Sequence, residues 1–148
     1  MSALGVIPAR FASQRFPGKV LAPVDGVPML QRVWEGARSA KRLRELLVAT
    51  DDERVRHACE RFGAAVVLTR SEHPTGTDRI AEVALAHSDE IIVNIQGDEP
   101  LIEGFVIDAA VEALEADPRA PMATLAHPAA ANAEQDPNRV KVVLDRRG

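Results

Sequence analysis

The chain has 148 residues, 46% of them apolar and 27% charged, a composition that suits one globular domain with a buried core. Its net charge of −4 argues against a non-specific nucleic-acid binder, which needs a basic field, and its single cysteine, Cys59, excludes an internal disulfide framework. No apolar run approaches the roughly 18 residues of a membrane span, and residues 1–6 lack the pattern of a signal peptide, so a cytoplasmic protein with no membrane insertion is expected.

The pattern predicts strands at residues 4–7 (LGVI), 46–50 (LLVAT), 65–68 (AVVL), 91–95 (IIVNI), 122–125 (MATL) and 140–144 (VKVVL). Their shortness and β-branched content favour strand over helix. Four helical stripes lie between them. The first is Leu30, Val33, Trp34 and Ala37, with Pro28 in the first turn. The second is Val55, Ala58, Cys59 and Phe62, capped by Asp51 or Asp52 and stopped by Gly63. Ile80, Val83, Ala84 and His87 follow a cap at Thr75 or Thr77, and Ile107, Ala110, Val111 and Leu114 end before Pro118. Strands alternating with helices imply a single α/β domain over residues 1–148, a three-layer αβα arrangement around a mostly parallel sheet. In such sheets ligands bind beyond the carboxyl ends of the strands. Residues 127–137 read as a loop, and the absence of a closing helix after the last strand candidate suggests a fold that is incomplete at its C-terminus.

Charge is unevenly placed. No acidic residue precedes Asp25, yet Arg10, Arg15 and Lys19 lie in that stretch, whereas residues 98–117 hold seven acids and no base. Cations gathered in one loop after the first strand point to a bound anion. Arginine forks grip phosphate oxygens in pairs, and lysine supplies a compact charge, so the loop suits the charge of a triphosphate; the alternative is an ordinary solvated basic loop. The loop (PARFASQRFPGK) is neither a Walker A sequence nor a GxGxxG fingerprint. After the fourth strand, Gln96-Gly97-Asp98-Glu99-Pro100 would set Asp98 at a strand tip, where one carboxylate can hold magnesium against phosphate oxygens or simply form a turn. Thr75, Gly76 and Thr77 offer hydroxyls and amides at a helix start. The cations before residue 20 and the Asp98 carboxylate are expected to converge across the rim of one sheet.

Taken together, IPARFASQRFPGK, VATDDERV, TRSEHPTGTDRIAEV, IIVNIQGDEPLI, MATL and PNRVKVVLD resemble the 3-deoxy-manno-octulosonate cytidylyltransferase family. The resemblance covers nearly all of this chain, but only about the first three-fifths of a family member. It implies a Rossmann-like fold of the nucleotide-diphospho-sugar-transferase type. It also implies transfer of CMP from CTP to 3-deoxy-D-manno-octulosonate (Kdo) with Mg²⁺, for lipopolysaccharide biosynthesis. On this likeness Arg10, Arg15 and Lys19 bind the triphosphate, Asp98 ligates the metal, and Gln96 contacts the sugar acid. Ala9, Thr75, Gly76, Thr77 and Arg79 lie around the cytidine, with Lys19, Arg10 and Asp98 carrying the chemistry. Pro74 departs from the polar residue more usual in the family. A homodimer, a second metal-binding aspartate and most of the sugar-acid pocket are expected of the full-length family member. The alternatives are a sialic-acid-type CMP-sugar synthetase and a non-catalytic nucleotide-binding module.

Overall fold

The computed structural model describes residues 1–12 and 16–146. Its centre is a four-stranded parallel sheet. In chain order the strands are β1 (Ala3–Pro8), β4 (Glu45–Thr50), β5 (Ala65–Leu68) and β6 (Ile91–Asn94), and they lie side by side as β5-β4-β1-β6. Between β1 and β4 comes a minimal hairpin, β2 (Pro23–Val24) with β3 (Val27–Pro28). Its turn residues Asp25 and Gly26 both have positive φ, 50° and 79°, as a tight Asp-Gly hairpin turn requires.

β1 is buried on both faces, and its side chains alternate between two cores. Leu4 and Val6 join Leu47, Ala49, Ile80 and Val83 under α3 (Gly76–Leu85). Ile7 faces the other way, into a larger core with Leu30 and Val33 of α1 (Met29–Ala37), Val55 and Cys59 of α2 (Glu53–Phe62), and Ile107 of α4 (Gly104–Ala116). One helix therefore covers one face and three cover the other, which gives the expected three layers. Each helix is the element its stripe predicts.

The caps follow the chemistry of the local residues. The Asp52 carboxylate accepts the Arg54 amide at the start of α2, and Gly63 ends that helix in the left-handed region at φ 82°. Thr75 caps α3 by accepting the Asp78 amide. Pro28 stands just outside α1 as its N-cap residue.

Two expectations fail. Residues 122–125 and 140–144 form no strand; Met122 is 80% exposed and Val140 97%. An apolar run becomes a strand only if a neighbour supplies the ladder hydrogen bonds. Beyond α4 the described chain runs to Arg146 without joining β6, whose outer edge no described strand pairs. The short β2–β3 hairpin, conversely, is not among the expected elements.

Two tests follow from this packing. Gly36 sits where α1 meets the segment before α4: a Cβ there would fall 2.0 Å from the Ile102 backbone oxygen. Gly36→Ala is therefore expected to destabilise by about 1–3 kcal/mol despite better helix propensity, read as a lower urea midpoint; an unchanged or higher midpoint refutes this close approach. The Arg54 side chain, its amide and its charge hold the Asp52 carboxyl below its ordinary range. A carboxyl depressed on folding stabilises above its unfolded value, near about 4, and the gain is lost as pH falls through the folded value. Asp52→Asn should thus flatten the acid side of a stability–pH curve, and an unaltered curve between about pH 5 and 2 would count against it.

Candidate functional site

The order β5-β4-β1-β6 contains one reversal. From β1 the chain builds outward through β4 and β5, then returns to lay β6 on β1's other side. Crevices open at the carboxyl end of such a switch point, because the loops on either side leave in opposite directions. Here an open cleft of about 620 Å³ lies at that position. The loop after β1 supplies Arg10 and Lys19, the turn after β6 supplies Gln96 and Asp98, and the segment entering α3 supplies Pro74 and Gly76.

These three segments converge because small residues allow it. Gly97 passes so close to β1 that a Cβ would lie 3.0 Å from the Pro8 oxygen. Gly76 packs on the Pro8 ring in the same way, with a Cβ position 3.2 Å from Cγ. Arg10 Nη1 donates to the Pro74 oxygen at 3.2 Å, tying the first loop to the third. The Gln96 amide donates to Asn94 Oδ1 at 3.0 Å on the rim.

Across the cleft Lys19 Nζ donates to Asp98 Oδ2 at 2.8 Å. Their side chains are 42% and 49% exposed, so this pair is a solvated one worth about 0–1 kcal/mol. It is therefore easily exchanged for other partners. The expected convergence of a cation before residue 20 with the 98 carboxylate is thus a direct contact, and Arg10 lines the same cleft. Asp98 does not cap α4, whose N-cap residue is Glu103.

Not every expected residue faces this cleft. Arg79 has no exposed surface: Nη1 donates to Thr69 Oγ1 and to the Arg70 oxygen, and Nη2 lies 3.2 Å from Asp51 Oδ2. It joins the tips of β4 and β5 to α3 from inside. Thr75 spends its hydroxyl on Asp78, accepting the amide and donating to the carboxylate at 2.5 Å. Thr77 is exposed in the first turn of α3, and Ala9 is fully buried, its amide donating to the Ala49 oxygen. Arg15 lies outside the described residues.

No group of three or more His, Cys, Asp or Glu side chains is placed to hold a metal among the described residues. A lone exposed carboxylate at a strand tip still fits magnesium, which keeps much of its water and shares its shell with substrate phosphate. Zinc or calcium would need more protein ligands. Cys59 offers no nucleophile: burial pushes its thiol up to about 12. His73 pairs with Glu82 behind the cleft and holds that carboxyl below its ordinary range. Sequence reasoning does not find this pair, nor the internal role of Arg79; both depend on which side of α3 faces the sheet. No described helix is long and apolar enough to cross a membrane.

Comparison with known proteins gives the arrangement a family. A model of the family described as cytidylyltransferase matches residues 4–148. The chain is 52% identical over 149 residues to a 3-deoxy-manno-octulosonate cytidylyltransferase from Syntrophotalea carbinolica, covering all of this chain and 60% of that protein. It is 56% identical over 146 residues to the protein of the same name from Solibacter usitatus, covering 98% and 58%. Among solved structures, a CMP:2-keto-3-deoxy-manno-octonic acid synthetase complexed with CTP superposes with a TM-score of 0.79 at 41% identity, over 82% of this chain and 50% of that one. The chain thus spans about three-fifths of the length of the curated relatives it matches. A β1–β6 crevice with cations on one wall and a carboxylate on the other, together with these matches over nearly every residue, places the chain in the cytidylyltransferase family.

Proposed function

We propose that this chain forms the nucleotide-binding portion of a cytoplasmic, Mg²⁺-dependent enzyme that transfers CMP from CTP to Kdo, giving CMP-Kdo and pyrophosphate. The single observation that carries the reading is the Lys19–Asp98 contact across the switch-point cleft, a cation suited to phosphate beside a carboxylate suited to a metal. The names of the relatives support the choice of nucleotide and sugar acid.

In this reading the anomeric hydroxyl oxygen of Kdo bonds to the α-phosphorus of CTP as the bond to the β-phosphate oxygen breaks. The hydroxyl proton passes to solvent, and pyrophosphate leaves. Arg10 and Lys19 neutralise the triphosphate, and Lys19 offsets the charge that grows on the departing pyrophosphate. Arg15 contributes a third cation to the same loop. Asp98 would hold the metal, which when bound neutralises phosphate charge and polarises the phosphoryl oxygens. Gln96, on the rim beside Asn94, donates to the sugar acid. The backbone at Ala9, Thr75, Gly76 and Thr77 borders the cytidine, while Arg79 supports that wall from within. Such a transfer needs positioned reactants and fixed countercharge rather than a protein nucleophile. The sugar acid's remaining contacts and a homodimer interface belong, in this reading, to the whole protein.

Lys19→Ala is expected to weaken CTP binding by about 1–3 kcal/mol, measured by calorimetric titration with Mg²⁺ present. Asp98→Asn should remove most of the difference between titrations with and without Mg²⁺. Unchanged affinity in the first variant, or full metal dependence in the second, rules out the clamp. For the activity itself, pyrophosphate release by the whole protein should require CTP, Kdo and Mg²⁺ together. Turnover with an N-acylneuraminate in place of Kdo would instead assign it to the sialic-acid type.

A further inference from the structure

The basic loop poses a physical problem of its own. It must hold cations at the cleft rim, yet between Arg10 and Lys19 it offers only two large apolar side chains, Phe11 and Phe16, and Phe16 is 53% exposed. Phe11 ties down the start of the loop. Its oxygen accepts the Gly18 amide at 2.8 Å, and its side chain packs against the core shared by α1 and α2. Gly18 adopts φ 74°, and a Cβ there would lie 3.1 Å from Phe11 Cζ, so the loop's far end rests on the edge of that aromatic ring. On the ring's face sits the Arg54 guanidinium, its Cζ 3.5 Å from the centroid.

Arg54 is held rather than free. Nε and Nη2 form a fork on the Asp52 carboxylate at 2.9 and 2.6 Å. Capping α2 needs only the Arg54 backbone amide, which any residue but proline would supply. The placement of the side chain over Phe11 is therefore left unexplained by the helix.

We infer that Arg54 is a positioning residue for nucleotide binding: clamped by Asp52, it pins Phe11, and through Gly18 it fixes the backbone that presents Lys19 to the triphosphate. The inference rests on the nucleotide reading above. Arg54 touches the ring and not the ligand. Its side chain is 63% exposed, so its removal leaves the core intact.

The test compares wild type, Arg54→Ala, Phe11→Leu and the double variant, by two readouts. The first is the rate of tryptic cleavage within residues 11–19 without nucleotide, mapped by mass. Arg54→Ala is expected to speed it several-fold while cleavage elsewhere and the melting temperature change little; an unchanged rate overturns the inference. The second is CTP titration with Mg²⁺. Arg54→Ala should weaken binding about two- to fivefold, the range for an exposed cation–aromatic contact. It should have no further effect where Phe11 is already Leu. Equal loss in both backgrounds would mean that Arg54 meets the nucleotide directly, and would also overturn it. Should Phe11→Leu fail to fold, the cleavage rate of Arg54→Ala alone decides. Absence of CTP binding by wild type would strike the nucleotide reading, whereas the cleavage result bears on the clamp by itself.

Discussion

The neighbour relation between β1 and β6 governs everything at the cleft. Lys19 and Asp98 are 79 residues apart in the chain and meet at 2.8 Å only because β6 returns to the side of β1 that β4 left open. A solvated ion pair of this kind is too weak to hold two loops together. The strands do that: the register of Ala3 with Ile91 through Val6 with Asn94 aims both strand ends at one point. The Ile95 amide then extends the pairing by donating to the Val6 oxygen at 3.0 Å. The ion pair is thus a consequence of the sheet, and this leaves both partners chemically available.

Pro8 is the hub of the same geometry. Its ring meets Gly76, its oxygen lies under Gly97, and the residue after next reaches Pro74. A proline ends β1 at no cost in ladder bonds at its own nitrogen and turns the chain out toward the rim. Two glycines let the other loops come within contact distance. Behind this rim Arg79 is a second support. It is fully buried: Nη1 donates to Thr69 and the Arg70 oxygen, the Asp51 carboxylate supplies the countercharge 3.2 Å from Nη2, and Nε has no hydrogen-bond partner among the described residues. Removing Asp51 would leave an uncompensated buried guanidinium, a larger penalty than losing any exposed pair on the rim.

What could be read from the sequence follows from what is local. The helical stripes, the Thr75 and Asp52 caps and the Gly63 stop depend on residues within one or two turns, and the structure keeps them. The four strands of the sheet all lie beside β1 or β4. The runs at 122–125 and 140–144 have equal β character, but strand formation needs a neighbour, which composition does not specify. The hairpin at Val24-Asp25-Gly26-Val27 is legible in its Asp-Gly turn, though its strands are only two residues long. For the candidate site, the position of Lys19 and Asp98 in the segments that follow β1 and β6 is what lets their convergence be expected. Arg79 is harder. A charged residue in the first turn of a helix reads as a surface group, and only its Ile80 and Val83 neighbours, buried against the sheet, hint at its inward rotation. The stacking of Arg54 on Phe11 joins two segments whose separation no local pattern encodes.

The charge layout and the weakness of the rim pair belong to one design. The chain carries a net charge of −4 and has no acid before Asp25, so the early loop is the natural landing point for an anion on an otherwise repelling protein. Asp98 engages Lys19 and keeps the two rim loops' charges balanced. An arriving polyphosphate offers Lys19 several charges in place of one, and the cost of releasing Asp98 is at most the small energy of a solvated pair. In the proposed reaction, the carboxylate that Lys19 releases would stand beside the phosphates, where oxygens of both can ligate a hard divalent cation. On the proposed function, anion binding and metal recruitment are coupled through a single exchange of partners, and a stronger, buried pair at these positions would have blocked both.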